Sequence, residues 1–164
     1  MPEELDDDEL GAYIALLAAG DLMQRSVAAQ LAEHDLSTLQ FSILATLLDH
    51  PEGLRMRDLA DRMVISRSGL TYQVTQLEAQ RLVTRANSAD DERGVEVRLA
   101  PAGRERVLAA MPGHVGLVRS VFLDVVDPGE IRPLRSALEQ VVGRLRARPY
   151  PKRSVSGPAR GAGS

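Results

Sequence analysis

The chain has 164 residues, of which 44% are hydrophobic and 3% aromatic, and its formal net charge is −3 at pH 7. This length predicts one domain. Because so few residues are aromatic, the core must consist mainly of aliphatic side chains, which favours helices. Because the chain contains no cysteine, a disulfide framework, a thiolate zinc site and thiol-based redox sensing are excluded. No run of 18 apolar residues and no secretory-type start is present, so the cytoplasm is the expected location.

Two amphipathic helices are predicted in the first third of the chain. The first, over about residues 8–33, is indicated by the spacing of Leu10, Tyr13, Ile14, Leu17 and Leu22. The second has Ser37 or Thr38 as its N-cap and Gln40 in its first turn, and Pro51 ends it. Its apolar positions are Phe41, Ile43, Leu44, Leu47 and Leu48.

The next segment is typical of a helix–turn–helix. Its first helix is predicted from the apolar residues Leu54, Met56, Leu59, Ala60, Met63 and Val64, and its second has Leu70, Val74, Leu77 and Arg81 on one side. The turn between them contains Val64, Ile65 and Ser66. Ser66 is placed as an N-cap whose hydroxyl accepts from a free amide of the second helix.

The outward face of this second helix is unusual because it carries no acid. At 100° per residue it presents Ser68, Tyr72, Thr75, Gln76 and Ala79, with Gly69 and Thr71 on its flanks. Hydroxyl, amide and phenol groups suit base edges and phosphates. Small residues at the N-terminal end of the helix would let a phosphate approach the backbone, and the helix dipole favours that contact. The alternative is a solvated helix in an ordinary small domain.

A β-hairpin is predicted directly after this helix. Leu82–Arg85 and Val95–Leu99 have strand patterns, and Asn87–Gly94 is predicted to be the polar turn between them. Arg93 lies in this turn beside Asp91, which can hold it in position. An arginine at such a tip is placed to enter a DNA minor groove. On composition alone, a solvated turn is the alternative.

Two further helices and a tail complete the predicted elements. A long helix starts near Pro101, and Pro112 and Gly113 are expected to kink or break it. Asp127–Gly129 predicts a turn. The last helix has an apolar stripe of Ile131, Leu134, Leu138, Val141, Val142 and Leu145. The basic tail, residues 148–164, is rich in proline, glycine and serine and is expected to be disordered.

These residues resemble the MarR (multiple antibiotic resistance regulator) family of winged helix-turn-helix transcription factors. The resemblance rests on SRSGLTYQVTQLEAQRLV, on Asp91-Glu92-Arg93-Gly94, and on Leu99 followed by Pro101-Ala102-Gly103. It implies a mainly α-helical (α+β) fold in a single domain, residues 1–147. The winged helix-turn-helix then spans about 37–99, and dimerisation helices span about 8–33 and 101–147. The chain departs from the family pattern at four positions: Tyr72 for a base-reading arginine, Arg81 for glycine, Ser88 for a wing aspartate and Ala100 for threonine.

The resemblance implies a homodimer that binds double-stranded DNA. Between Leu54 and Leu99 eight arginines face seven acids, so binding must depend on the placement of charge rather than on its total. The candidate DNA-binding residues are Arg55, Arg57, Arg62, Ser66, Arg67, Ser68, Gly69, Thr71, Tyr72, Thr75, Gln76, Arg85, Asp91 and Arg93.

A small aromatic effector is a further implication of the resemblance, with a pocket between the dimerisation helices and the DNA-binding part. The candidates to line this pocket are Tyr13, His34, Phe41 and His114. Each of them has an ordinary structural alternative as a core or surface residue.

The sequence offers no enzyme signature. Phosphate-loop, dinucleotide-binding and nucleophile-elbow motifs are absent, and the three histidines have no metal-ligand spacing. We therefore expect no enzyme, no cofactor and no metal. The function predicted is a ligand-responsive repressor that binds a palindromic operator, and the alternative is a ligand-independent architectural or partner-binding winged-helix protein.

Overall fold

The structure, a computed structural model, describes residues 4–63, 65–88 and 91–147, with the side chains of positions 87, 88 and 91–93 left out. The chain divides after Phe122 into two compact units. No helix in the described ranges is both long and apolar enough to cross a membrane. The elements in chain order are α1 (Asp7–Ala32), α2 (Thr38–Leu48), β1 (Leu54–Arg55), α3 (Met56–Met63), α4 (Arg67–Ala79), β2 (Val83–Ser88), β3 (Asp91–Leu99), α5 (Pro101–Val118), a π-helical turn (Arg119–Leu123) and α6 (Ile131–Ala147).

Polar side chains define where the first two helices begin. Asp6 and Glu9 form a capping box at the start of α1. At α2, the Ser37 hydroxyl accepts from the Gln40 amide at 3.2 Å, and the Gln40 side chain accepts from the Ser37 amide at 3.0 Å. Two otherwise unpaired amides are satisfied in this way. Ser37 rather than Thr38 is therefore the N-cap.

One aliphatic core holds the first unit together. Its residues come from the C-terminal half of α1, from α2, α3 and α4, from the sheet and from α5. Burying one such side chain contributes about 1.5–3 kcal/mol. The largest fully buried side chains are Leu31, Ile43, Leu44, Leu47, Leu59, Leu70, Val74, Leu77, Leu82, Val83, Val97 and Val107.

The three strands form an antiparallel sheet in the order β1-β3-β2. Leu54 and Arg55 pair with Val97 and Glu96. The prediction that Leu54 begins a helix was therefore wrong, because these two residues take strand geometry from their partners on β3. α3 follows immediately, at Met56.

The wing differs from the predicted hairpin. Residues 87–94 were predicted to be a turn, but β2 continues to Ser88 and β3 starts at Asp91. The register shifts between Asn87, which pairs with Val95, and Ser88, which pairs with Asp91. Three residues of β3 thus have no opposing residue on β2, so the pairing of the two strands is irregular at this point. Backbone pairing outweighed the polar composition on which the prediction rested.

The helix that ends the first unit is less interrupted than predicted. The sequence predicts a kink or a break at Pro112 and Gly113. α5 continues through both residues to Val118, so the helix does not break there, and the regular α-helix gives way to a π-helical turn at Arg119. A proline removes one helical hydrogen bond, and the packing of α5 against α1 and α2 holds the helix together.

The second unit contains the predicted turn and the last helix. The Gly129 amide donates to the Asp127 carboxylate at 2.7 Å, and the Glu130 amide donates to the Asp127 carbonyl at 2.9 Å. α6 follows from Ile131 and leaves Val141, Val142 and Leu145 exposed.

Candidate nucleic-acid interface

Helix α4 begins where the sequence predicts. The Ser66 hydroxyl accepts from the Gly69 amide at 3.1 Å, as expected of an N-cap. Leu70, Val74 and Leu77 are fully buried and fix the rotation of the helix. The predicted burial pattern is confirmed, whereas the prediction that Arg81 belongs to this helix was wrong. The helix ends at Ala79, and Arg81 lies beyond it with a positive φ of 60°.

The outward face of α4 is open to solvent. Tyr72 is 62% exposed, and Ser68, Thr75, Gln76 and Ala79 are exposed as well. The Tyr72 phenol and the Gln76 amide can both donate and accept hydrogen bonds. This face therefore has the chemistry needed to contact base edges in a major groove.

Two threonines of α4, one on its flank and one on its outward face, hydrogen bond to the backbone of their own helix. The Thr71 hydroxyl donates to the Arg67 carbonyl, and the Thr75 hydroxyl donates to the Thr71 carbonyl, both at 2.8 Å. Because each hydroxyl proton is already engaged, the oxygen lone pairs are what these threonines offer to a ligand. They are suited to accept from an amino group or a bridging water.

A groove lined by arginines lies between α4 and the base of the wing. Its volume is about 430 Å³. Residues from β1, α3, α4, β2 and β3 contribute to it, and four of the predicted DNA-binding arginines meet here. The lining residues are Arg55, Met56, Arg57, Arg67, Thr71, Arg85, Gly94 and Val95.

The guanidinium groups of this groove differ in their surroundings. Arg85 is bound by Glu78, and Arg57 lies 3.4 Å from an Asp58 carboxylate oxygen in a largely exposed pair. Arg67 is the first residue of α4, and none of the described acids forms a salt bridge with it. A phosphate at this helix end would meet both a guanidinium and the positive end of the helix dipole.

The remaining predicted DNA-binding residues have separate positions. Arg62 is exposed in the last turn of α3 and does not line the groove. Asp91 and Arg93 lie on β3, and their side chains fall outside the described residues. The predicted contact between these two side chains therefore stays a prediction.

The four residues predicted to line an effector pocket are only partly brought together. Phe41 and His114 stack with ring centroids 4.6 Å apart and an interplanar angle of 50°. Tyr13 is 55% exposed on the N-terminal half of α1. The His34 carbonyl accepts from Arg106 Nη1 at 3.0 Å. The His34 ring makes no stacking contact with Phe41 or His114.

Gln30 belongs to the same region and was missed from the sequence. Its Nε2 donates to the Ala110 carbonyl at 3.3 Å. The same nitrogen would lie only 2.9 Å from a Cβ added at Gly113. Gln30 Oε1 and His114 Nδ1 are buried without a hydrogen-bond partner among the described groups. The sequence does contain an indication of its role: Gln30 has helical spacing from Val27 and directly precedes Leu31, and both of these face the core.

The described residues contain no group of three or more histidine, aspartate or glutamate side chains placed to hold a metal ion.

Comparisons with known proteins agree with this geometry. A model of the MarR family matches residues 34–94. The HTH-type transcriptional regulator TtmR of Methylorubrum extorquens is 30% identical over 149 residues, which cover 90% of this chain and 72% of TtmR. AbsC, a MarR family transcriptional regulator from Streptomyces coelicolor, has a TM-score of 0.84 at 32% identity, over 89% of this chain and 99% of AbsC. Sco3205, a MarR family regulator of the same organism solved in complex with DNA, has a TM-score of 0.85 at 27% identity, over 89% of this chain and 92% of Sco3205. The chain thus belongs to the MarR family and is a DNA-binding transcriptional regulator rather than an enzyme.

Proposed function

We propose that this protein is a repressor that binds a palindromic operator as a homodimer in the cytoplasm and is released by a small aromatic effector. The observation that carries the proposal is the acid-free, exposed face of α4 beside a groove lined by four arginines. The groove supplies the charge that binds phosphates, and the face supplies the polar groups that distinguish bases.

Exposed apolar surface on α1 supports the homodimer. Leu10 is 44% exposed, and Tyr13, Ile14 and Leu17 are each 55% exposed along one side of this helix. A stripe of this kind marks an association surface. We assign residues 37–99 to DNA binding and residues 8–33 and 101–147 to dimerisation. Two chains related by a twofold axis would place two copies of α4 about one DNA turn apart.

The partly buried region around Phe41 and His114 supports an effector. Two polar atoms there, on Gln30 and His114, have no hydrogen-bond partner in the part of the chain that the structure describes, and an unsatisfied buried polar group costs roughly 1–3 kcal/mol. An aromatic ligand with a polar substituent would stack on the ring of Phe41 or His114. Its substituent would hydrogen bond to Gln30 Oε1 or His114 Nδ1. Release follows if such a ligand binds the DNA-incompetent conformation more tightly than the competent one.

Selection from random duplexes followed by transcription in vitro tests the function. The proposal predicts recovery of an inverted repeat and inhibition of transcription from a promoter that contains it. Recovery of duplexes with no common sequence would favour an architectural protein. Activation of the promoter would overturn the repressor assignment while leaving sequence-specific binding intact.

The transcription assay also tests the effector. Adding panels of aromatic carboxylates and phenols should restore transcription with one class of compound, and Gln30→Leu should reduce that response without reducing operator affinity. If no compound in the panel restores transcription, the effector proposal fails.

A further inference from the structure

We propose that Glu78 is a positioning residue for DNA recognition: it binds Arg85 and thereby fixes the wing relative to the recognition helix α4. The proposal rests on DNA binding by α4 and the wing. It concerns a residue outside the predicted interface.

The contact between the two side chains is specific in its geometry. Arg85 Nε donates to Glu78 Oε2 at 2.8 Å, and Arg85 Nη2 donates to the same oxygen. Two donors on one oxygen fix the plane of the guanidinium as well as its position. The two side chains are 29% and 36% exposed, so the pair is partly shielded from solvent. This hydrogen bonding also lowers the pKa of Glu78 below its ordinary value, and the positive charge of Arg85 acts in the same direction.

The pair joins the two parts that must contact DNA together. Glu78 lies in the last turn of α4, and Arg85 is the third residue of β2. Arg85 pairs across the sheet with Val97, which is fully buried, so its backbone cannot move independently of the core. A rigid ion pair from this strand to α4 therefore fixes the angle between recognition helix and wing.

Charge gives a second reason for the assignment. Glu78 is the only acid in the sequence of α4, and an acid beside DNA repels phosphates. Its carboxylate is directed to Arg85, which is neutralised in turn. Arg85 then serves as a link, and the phosphate-binding charge of the groove must come from its other arginines.

Removal of Glu78 distinguishes positioning from simple repulsion. If Glu78 only repelled DNA, Glu78→Ala would strengthen binding to every duplex. A positioning role predicts that Glu78→Ala lowers the ratio of specific to non-specific affinity about tenfold. Non-specific affinity is kept or raised, because the Arg85 guanidinium is released. Glu78→Gln retains an oxygen acceptor and should recover part of the ratio. Glu105→Ala, at an exposed position of α5, is the matched control and should leave the ratio unchanged.

The experiment is fluorescence titration of the selected duplex and of a scrambled one, at a temperature where circular dichroism shows every variant folded. Arg85→Ala and the variant that carries both substitutions complete a double-mutant cycle. The ratio of specific to non-specific affinity should fall no further in the double variant than in the more strongly affected single variant. An unchanged or increased ratio in Glu78→Ala, or additive losses in the double variant, would overturn the positioning role alone. A wild-type protein that prefers no duplex would overturn the proposed function, and the positioning role with it.

Discussion

At the level of single residues, the arginines of the groove are not equivalent. Arg67 combines exposure, a position at the start of α4 and the absence of a salt bridge to any described acid. Arg85 is engaged by Glu78, and Arg57 lies beside Asp58. A guanidinium that must leave a carboxylate before it reaches a phosphate contributes less to binding than one that has no such partner. We therefore propose that Arg67 contributes more to phosphate binding than Arg57 or Arg85 does.

Arg67→Ala should weaken binding to all duplexes alike and reduce the slope of log affinity against log salt by about 0.9, the value for one lost phosphate contact. Arg104→Ala, which removes an exposed charge from α5 outside the groove, is the control. The measurement is a titration of one labelled duplex between low and high salt. An unchanged slope would remove Arg67 from the phosphate contacts.

Among the structural elements, the end of α4 contains backbone strain. The Arg81 amide donates to the Glu78 carbonyl and the Leu82 amide to the Leu77 carbonyl, which closes the helix. This closure places Arg81 in the left-handed region, with a φ of 60°. Glycine adopts that conformation without steric cost, which gives a physical reason for the glycine that the family pattern has at this position.

Arg81→Gly should raise the free energy of unfolding by roughly 0.5–1 kcal/mol. Left-handed strain of about 1–2 kcal/mol is relieved, and the added entropy of glycine in the unfolded chain, about 0.5–1 kcal/mol, offsets part of it. Gln80→Gly is the matched control, because the φ of −83° at Gln80 suits any residue. It should be destabilising. Urea unfolding of both variants checks the sign, and destabilisation by Arg81→Gly would contradict the account.

The junction of α5 with the sheet depends on a close approach at Gly103. The Leu82 carbonyl accepts from the Ala100 amide at 3.1 Å, and a Cβ on Gly103 would lie 2.0 Å from the same oxygen. Since this neighbour is backbone, it cannot turn aside as a side chain would.

Gly103→Ala should therefore destabilise the protein by about 3 kcal/mol, the upper range for overpacking. Gly116→Ala is the control within the same helix, since its Cβ enters open space. It should be neutral or stabilising by up to about 1 kcal/mol. Thermal unfolding compares the two, and similar melting temperatures would mean that α5 can shift away from the sheet at little cost.

Local signals predicted the elements well, and partners distant in the sequence account for the differences. The caps at Ser37 and Ser66 depend on residues three positions away, so the sequence was sufficient to predict them. β1 contains two residues and exists only through its pairing with β3. The wing strands likewise extend by pairing with each other. Glu78 lies on a helix and Arg85 on a strand. Sequence periodicity predicts which residues share a face within one element, so it could not predict a contact between these two elements.

For the whole molecule, the exposed stripes on α1 and α6 carry the proposed dimer. Val141 and Val142 are each 44% exposed and Leu145 is 65% exposed on α6. Water contact at these side chains is unfavourable, at roughly 25 cal/mol per Å² of apolar surface. Association of two chains would remove it.

Truncation after Asp127 should therefore shift the protein towards monomers and lower operator affinity by about two orders of magnitude, because two linked recognition helices bind with avidity. Deletion of residues 151–164 is the control: this segment has Val155 as its only large aliphatic residue, so the dimer should persist. Sedimentation velocity gives the oligomeric state. A truncated dimer with normal operator affinity would show that α6 is not part of the interface.

The central claim is that two copies of α4 read two half-sites of one operator. The most direct test measures the affinities of the wild-type protein and of Gln76→Ala and Tyr72→Phe for every single-base variant of the selected duplex. The wild-type protein should distinguish the selected base pair from its variants by roughly 1–3 kcal/mol of binding free energy. We predict that each substitution abolishes this difference at two base pairs only. These pairs should be related by the twofold axis of the duplex and separated by about one helical turn. Losses that are uniform over all positions, or confined to one half of the duplex, would contradict the claim.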